Sequence, residues 1–164
     1  YPVRRLDAEI LIDSVCSVTG TSETYSSATP EPYTTMPDST AAVDLPDGSV
    51  TTPFLELFGK PPRDTGYADE RAGLPSSSQK LHMLNSSHIL RKISSSKFNR
   101  KFFTMPYRKG LYCLYVKMLS RRPTRAELKA FEAYRPGGQK FNQWHAMTDA
   151  MWALFNSDEF SNRH

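Results

Sequence analysis

The chain has 164 residues, of which 38% are hydrophobic and 12% aromatic, so it is long enough to bury one core. Its longest apolar runs, 10–12 and 114–116, are far shorter than the roughly 20 residues that span a bilayer, which excludes a membrane-spanning helix. The net charge of +4 hides an asymmetry. Residues 71–126 contain thirteen Lys and Arg and no acid, whereas residues 1–58 contain nine acids and two Arg, which favours either an acidic external partner or docking of one region on the other.

The first predicted helix covers residues 4–19, because apolar residues recur there at helical spacing and Gly20 follows as a stop signal. Its exposed side is expected to carry Asp7, Glu9 and Asp13. Acids in the first turns favour the positive end of the helix dipole. The pattern therefore favours a solvated acidic face over a catalytic acid/base pair.

A coil-rich segment is predicted for residues 21–53, where Ser, Thr and Pro replace the helical pattern. Within it, Pro46-Asp47-Gly48 has the composition of a turn and predicts a short β-hairpin between Val43 and Val50. The apolar run 53–59 then predicts one helical turn whose aromatic side chains enter the core.

Capping-box patterns mark the starts of later helices. Ser76 with Gln79 predicts a helix that continues through Ile93, and 94–96 break it. The segment 108–160 is predicted to hold three helices. The first covers residues 108–120. The second begins at the capping box Thr124–Glu127 and ends at Tyr134. The third covers residues 140–155 and has Trp144 and Trp152 in its apolar stripe.

The predicted fold class is therefore mainly α. We expect an irregular bundle of about five helices with a long Ser/Thr/Pro-rich coil and one short β-hairpin. The chain is interpreted as a single helical domain over residues 1–164, forming the C-terminal part of a larger multidomain protein.

The local chemistry predicts no catalytic, cofactor-binding or metal-binding residues. Gly-x-Ser-x-Gly, Gly-rich phosphate-loop and Cys-x-x-Cys-His patterns are missing from the sequence. His82 and His88 are six residues apart and would lie on different faces of one helix, which disfavours a metal site. Cys16 and Cys113 are expected in helices as buried thiols, with a disulfide between them as the alternative.

The stretch 97–103 interleaves cations with aromatic rings, as surfaces that bind phosphate backbones and stack on bases do. The same pattern arises when a loop buries its rings and leaves Lys and Arg in water, which is the favoured interpretation. Candidate partner-binding residues are Lys97, Arg100, Lys101, Arg63 and Arg91. Nucleic acid or an acidic polysaccharide is thus the alternative partner for the basic region 91–125.

A hydrolase is the enzymatic alternative. Two carboxylates from Asp7, Glu9, Asp64 and Glu127 would have to face each other across a glycosidic bond. Sequence does not supply the separation that this mechanism requires.

Five stretches carry a family resemblance. They are Arg4–Glu9 (RRLDAE), Phe54–Asp64 (FLELFGKPPRD), Leu81–Ser86 (LHMLNS), Leu119–Thr124 (LSRRPT) and Leu154–Phe160 (LFNSDEF). In this order the chain resembles the later part of the C-terminal domain of unknown function found in planctomycete-type cytochrome c proteins. The basic aromatic stretch 97–103 departs from the family pattern, which leaves the preferred partner open.

The resemblance implies context rather than chemistry. Family members look like large extracytoplasmic proteins in which cytochrome c-like, and in some cases carbohydrate-binding, modules precede this domain. The favoured function is a non-catalytic structural or interaction module, periplasmic or secreted. Its expected partners are other domains of the parent protein or partner subunits, c-type cytochrome modules among them, and no cofactor is expected within this chain.

Overall fold

The computed structural model describes residues 4–27, 35–46, 48–61, 76–102, 105–134 and 142–163. These residues are mainly helical, which confirms the predicted fold class. The helices are α1 (Ala8–Thr19), α2 (Pro53–Leu57), α3 (Ser77–Asn85), α4 (Ser87–Ser94), α5 (Lys97–Phe102), α6 (Tyr107–Leu119), α7 (Arg125–Ala133), α8 (Gln143–Phe155) and α9 (Asp158–Ser161), with a 3₁₀ helix at Ala42–Asp44. The strands are β1 (Arg4–Arg5), β2 (Ser26–Ser27), β3 (Val50–Thr51) and β4 (Asn162–Arg163).

The core forms where α8 packs against α4, α5 and α6, while α1 packs against α2, α4 and α5. Apolar side chains with at most 2% exposure fill it. They include Leu11, Ile12, Val15, Phe54, Leu55, Ile89, Ile93, Leu111, Leu114, Tyr115, Met151 and Phe155. The predicted apolar stripes of α6 and α8 are therefore mostly buried within this chain, with Trp144 and Trp152 half-buried. In the predicted stripe of α7 only Leu128 is buried, and Tyr134 is 47% exposed.

Local capping explains why several helices begin where they do. In α3, the Ser76 side chain accepts from the Gln79 backbone N–H and the Gln79 side chain accepts from the Ser76 backbone N–H. Thr124 and Glu127 make the same reciprocal pair at the start of α7. Each pair satisfies two backbone donors that a helix start would otherwise leave open, and both predicted capping boxes are confirmed.

The described ends of the chain lie side by side. Strand β1 pairs antiparallel with β4, so Arg4 is opposite Arg163 and Arg5 is opposite Asn162. The Leu6 N–H continues the contact by donating to the Ser161 carbonyl oxygen at 3.0 Å. The segment before α1 is thus held against the segment after α9.

The predicted hairpin between Val43 and Val50 is wrong in its pairing. Residues Ala42–Asp44 form a 3₁₀ helix, whose Ala42 and Val43 N–H groups donate to the Asp13 carboxylate at 2.8 and 3.1 Å. Val50 instead pairs across β2 and β3 with Ser27. A side-chain cap from a distant helix therefore overrides the local turn signal.

The single helix predicted from Ser76 through Ile93 is divided at Ser86. Ser86 has an extended conformation and ends α3, and its side chain accepts from the Ile89 N–H at 3.2 Å to start α4. A serine hydroxyl that caps a new helix competes with continuation of the old one. The bend brings the His82 and His88 rings to 5.9 Å, although a continuous helix would place them on different faces.

Three further predictions need correction. Residues 97–102 form helix α5 rather than a loop, and α9 was not predicted. Glu9 is 8% exposed, so it does not belong to a solvated acidic face.

The predicted stop of α1 at Gly20 is confirmed. Gly20 has a φ of 68°, and its N–H donates to the Cys16 carbonyl oxygen at 2.8 Å.

The two sides of α6 should respond differently to truncation. Leu114 is fully buried and Val116 is 52% exposed. Leu114→Ala is expected to lower the free energy of unfolding by about 2–5 kcal/mol, because it leaves a cavity in the core. Val116→Ala should change it by less than about 0.5 kcal/mol. Urea unfolding monitored by circular dichroism measures both values, and equal losses would contradict this assignment of the faces.

Candidate functional site: the outer face of α6

A buried lysine joins α4 to the end of α1 and the coil that follows it. The Lys92 side chain is 7% exposed and its Nζ lies 2.8 Å from Glu23 Oε1. The same ammonium group donates to the Ser22 carbonyl oxygen (2.9 Å), Thr21 Oγ1 (3.2 Å) and Cys16 Sγ (3.3 Å). Because an ammonium group has three N–H donors, these acceptors satisfy all of them and compensate the charge where little water is present.

The same cluster contains a carboxylate and a thiol whose protonation can be assigned. Burial opposes the ionisation of Glu23, but hydrogen bonds from His88 and Lys92 and the charges of both hold its pKa below the usual range. Burial raises the pKa of the Cys16 thiol, and the Lys92 ammonium group opposes that rise. Cys16 is therefore a protonated thiol without the low pKa of an activated nucleophile. Cys16 and Cys113 are both free and half-buried.

An aromatic cluster lies beside this lysine. Phe54 and Phe58 stack with their centroids 4.1 Å apart, and the His82 and His88 rings meet Phe54 edge-on at 5.6 and 5.7 Å. Burial and the charge of His88 lower the pKa of His82, which favours its neutral form. Within the described ranges, no group of three or more His, Cys, Asp or Glu is placed to hold a metal ion.

Arg5 covers this aromatic cluster from the side of β1. Its guanidinium carbon lies 4.5 Å from the centre of the Phe58 ring, and its Nη1 donates to Gln79 Oε1. Gln79 Nε2 in turn donates to the Leu57 carbonyl oxygen at 2.8 Å. The contact of the Arg5 guanidinium group with the Phe58 ring and its hydrogen bond to the Gln79 amide are both structural contacts. Through the Phe58 contact, Arg5 links two of the resemblance motifs, 4–9 and 54–64.

Arg121 forms a fork between two carboxylates. It donates to both oxygens of Glu159 at 2.6 and 2.7 Å and to both oxygens of Glu127 at 2.8 and 3.0 Å. Its guanidinium carbon also lies 5.3 Å from the centre of the Tyr115 ring. Bidentate contacts of this kind are among the stronger and more directional ion pairs. They connect α6, the start of α7 and α9.

The Arg121 fork also bears on the hydrolase alternative. The hydrogen bonds from Arg121 lower the pKa of Glu127 to about 2. A glycosidase general acid needs a raised pKa, so Glu127 does not have the property that this role requires. Glu9 is buried, and Asp64 lies outside the described residues.

A groove lies along the side of α6 that faces away from the core. It has a volume of about 800 Å³, and we call it the α6 groove. Its lining is apolar apart from cations: it consists of Phe98, Pro106, Tyr112, Cys113 and Val116 together with Arg108, Lys109, Lys117 and Arg122. This combination suits a partner that is apolar in its centre and negatively charged at its edges.

The cations of the groove are weakly neutralised. Arg108 pairs with Glu132 at 3.4 Å, but both side chains are largely exposed. Exposed ion pairs contribute little to the stability of a fold. Lys109, Lys117 and Arg122 make no ion pair with an acid in the part of the chain that is described. Lys117 Nζ lies 4.5 Å from the centre of the Phe98 ring. Burial and the charge of Lys101 lower the pKa of Lys117.

Of the five predicted partner-binding residues, the structure describes the side chains of Arg91, Lys97 and Lys101, which lie on α4 and α5. Arg91 is exposed on α4 and its Nε donates to the Ser87 carbonyl oxygen at 3.1 Å. Lys97 is exposed at the start of α5, and Lys101, also exposed on α5, is close enough to Lys117 to perturb it electrostatically. Arg63 and the Arg100 side chain lie outside the described residues. Among the predicted residues, only Lys101 is shown to act on the α6 groove.

Sequence reasoning missed the groove itself, although a signal was present. Lys109, Tyr112, Cys113, Val116 and Lys117 follow the i, i+3, i+4, i+7, i+8 spacing of one helix face. A second stripe, running through Leu111, Leu114, Tyr115 and Met118, satisfies the same pattern and is the one that is buried. A helix with two apolar faces indicates either complete burial or a partner for the second face.

The fold and the contacts define a mainly helical domain in which the motif residues Arg5 and Arg121 make internal contacts. The chain belongs to the PSD1 family, described as a protein of unknown function (DUF1553), because the family model matches residues 1–135. This is the domain found in planctomycete cytochrome c-associated proteins, which confirms the resemblance. A search of the curated proteins and a search of the solved structures each give no match. The fifth resemblance motif, 154–160, follows the matched residues, and the Arg121–Glu159 contact connects it to the fourth.

Replacing Lys92 should destabilise the folded chain. Lys92→Met leaves the Glu23 carboxylate largely buried without its ammonium partner, so we expect a loss of about 3–5 kcal/mol in the free energy of unfolding. Lys129→Met on α7, where the side chain is exposed, is the control and should change it by less than about 0.5 kcal/mol.

A double-mutant cycle separates the charge pair from other effects of Lys92. Glu23→Gln combined with Lys92→Met should cost less than the sum of the two single changes, because neither charge is then left alone. Urea unfolding of the four proteins gives the coupling energy. Strict additivity would show that the two groups are not a compensated pair.

The Arg121 fork predicts the titration of Glu127. Its carboxyl group should titrate at about pH 2, well below its usual value of 4.5, and Arg121→Gln should move the midpoint back towards that value. Since the folded-state pKa is lowered, the pair stabilises the fold above pH 4.5 and ceases to do so as the pH falls towards about 2. Carbon-detected nuclear magnetic resonance measures the midpoint, with Arg122→Gln as the neighbouring control. An unshifted midpoint in the wild-type chain would refute the fork.

None of the described helices has the length and the apolar character that crossing a bilayer requires.

Proposed function

We propose that this chain is a non-catalytic structural and interaction module of a larger extracytoplasmic protein, and that it docks the other modules of that protein, cytochrome c-like modules among them. The observation that carries the proposal is the use of the charged motif residues. Arg5 and Arg121, which a short motif would otherwise suggest as site residues, are engaged in internal contacts.

Exposed apolar side chains supply the complementary observation. Leu81 and Leu84 lie three residues apart on α3 and are 58% and 39% exposed, and Leu90 on α4 is 42% exposed. Residues three apart share one helix face. Apolar surface of this kind gains free energy when a partner covers it, at roughly 25 cal/mol per Å².

The extracytoplasmic location and the cytochrome-type partners rest on family membership. The PSD1 domain is found in cytochrome c-associated proteins, and the proposed role of this chain is to hold the accompanying modules in position. A scaffold does this through surface contacts, without a reaction of its own.

The proposal is tested by mixing this chain with the remaining modules of its parent protein, expressed as a separate polypeptide. We expect a complex, because a partner that covers the exposed apolar side chains of α3 and α4 removes their surface from water. Leu81→Glu combined with Leu84→Glu should raise the Kd at least about tenfold, which corresponds to about 1.4 kcal/mol. Isothermal titration calorimetry measures both values.

Val43→Glu is the matched control, since Val43 is also 58% exposed but lies on the 3₁₀ helix. It should leave the Kd unchanged. A parent protein whose modules do not bind this chain in either form, or hydrolysis of a polysaccharide by the chain alone, would overturn the proposed function.

A further inference from the structure

Helix α6 presents two apolar faces; the described residues bury one of them and cover the other only in part, leaving Tyr112 and Cys113 half-buried. The inner face is buried against α8, whereas the outer face contributes Tyr112, Cys113 and Val116 to the α6 groove. Val116 is 52% exposed. Exposed apolar surface that is rimmed by polar residues is typical of an interaction site, so the outer face is a candidate for one.

Charge restricts the kind of partner. Lys109 and Lys117 stand at the two ends of the outer face, and their separation of eight residues corresponds to about 12 Å along the helix axis. Arg122 adds a third cation to the groove, and residues 71–126 contain no acid. A complementary partner therefore carries at least two negative groups about 12 Å apart, which a single-headed amphiphile does not.

The apolar centre of the groove favours a polypeptide partner over a polyanion. A phosphodiester or sulfated sugar backbone has no aliphatic surface with which to cover Val116 and Cys113. Base stacking needs an open ring, but Lys117 Nζ lies against Phe98 and Tyr112 is half-buried. An amphipathic helix matches both features, since its apolar stripe can lie in the groove while acidic side chains on either side of that stripe meet the lysines.

We propose that the α6 groove binds an amphipathic helix of another polypeptide, with an apolar stripe flanked by Glu or Asp side chains. The inference rests on the proposed function and specifies one interaction surface and the chemistry of its partner. Binding would also relieve the electrostatic repulsion between Lys117 and Lys101, because a carboxylate at that end of the groove attracts both.

The test uses a fluorescein-labelled synthetic helical peptide that has leucine on one face and glutamate along both sides of that face. Fluorescence anisotropy is recorded with the full 164-residue chain in buffer of about 0.15 M ionic strength. Two control peptides carry Gln for every Glu or Ser for every Leu. We expect binding of the first peptide and at least tenfold weaker binding of each control peptide.

Variants of the chain locate the interaction. Val116→Glu should weaken binding at least tenfold, because it removes apolar surface and repels the acidic peptide, whereas Val43→Glu at the equally accessible 3₁₀ helix should not. Lys109→Gln with Lys117→Gln should also weaken it at least tenfold, compared with Arg125→Gln and Lys129→Gln on the exposed side of α7. Unchanged circular dichroism spectra would establish that each variant remains folded.

Three results would overturn the proposal: no binding of the first peptide, equal binding of the peptide without leucine, or binding that Val116→Glu leaves unchanged. Heparin or single-stranded DNA that binds more tightly than the peptide, with a steep salt dependence that Lys109→Gln and Lys117→Gln reduce, would assign the groove to polyanions instead. The Leu81 and Leu84 variants report on module docking separately, so the groove proposal can fail while the proposed function stands.

Discussion

The ammonium group of Lys92 connects three parts of the chain that share no sequence pattern: helix α4, the end of α1 and the coil that follows α1. A charge at this depth is tolerated only with partners, and the coil supplies a carboxylate, a carbonyl and a hydroxyl. Because Glu23 and Ser22 are fixed in this way, Tyr25 enters the core at 1% exposure and β2 can pair with β3. One buried cation thereby holds residues 21–23 against α4, and the backbone pairing of β2 with β3 continues the ordering from there.

Charged residues of the family motifs play a similar part elsewhere. Arg5 spans the aromatic cluster and the capping residue of α3, and Arg121 holds the start of α7 and the last helix together. Arginine suits such positions because its planar fork satisfies several acceptors at once and packs against rings. Arg5 and Arg121, which the motifs alone would suggest as site residues, thus make internal contacts.

The surface that this scaffold presents follows from how α6 is held. Its inner stripe is buried against α8, and its C-terminal end is followed directly by Arg121, whose two carboxylate partners lie on α7 and α9. With one face buried and one end fixed, the opposite face is turned outwards together with its flanking lysines. Four cations of the basic region, Arg108, Lys109, Lys117 and Arg122, are consequently arranged around an apolar surface.

The sequence by itself determined the features that depend on near neighbours along the chain. The stripes of α6 and α8 and the capping boxes at Ser76 and Thr124 join residues three to eight positions apart, so helical period and side-chain chemistry suffice to predict them. The pairing of β2 with β3 and the contacts of Lys92 emerge from the tertiary structure. It also decided which of the two apolar faces of α6 is buried and which basic residues share a groove. These features arise from contacts between segments far apart in the chain, where burial and charge compensation outweigh local preference, and no local pattern encodes which distant groups will meet.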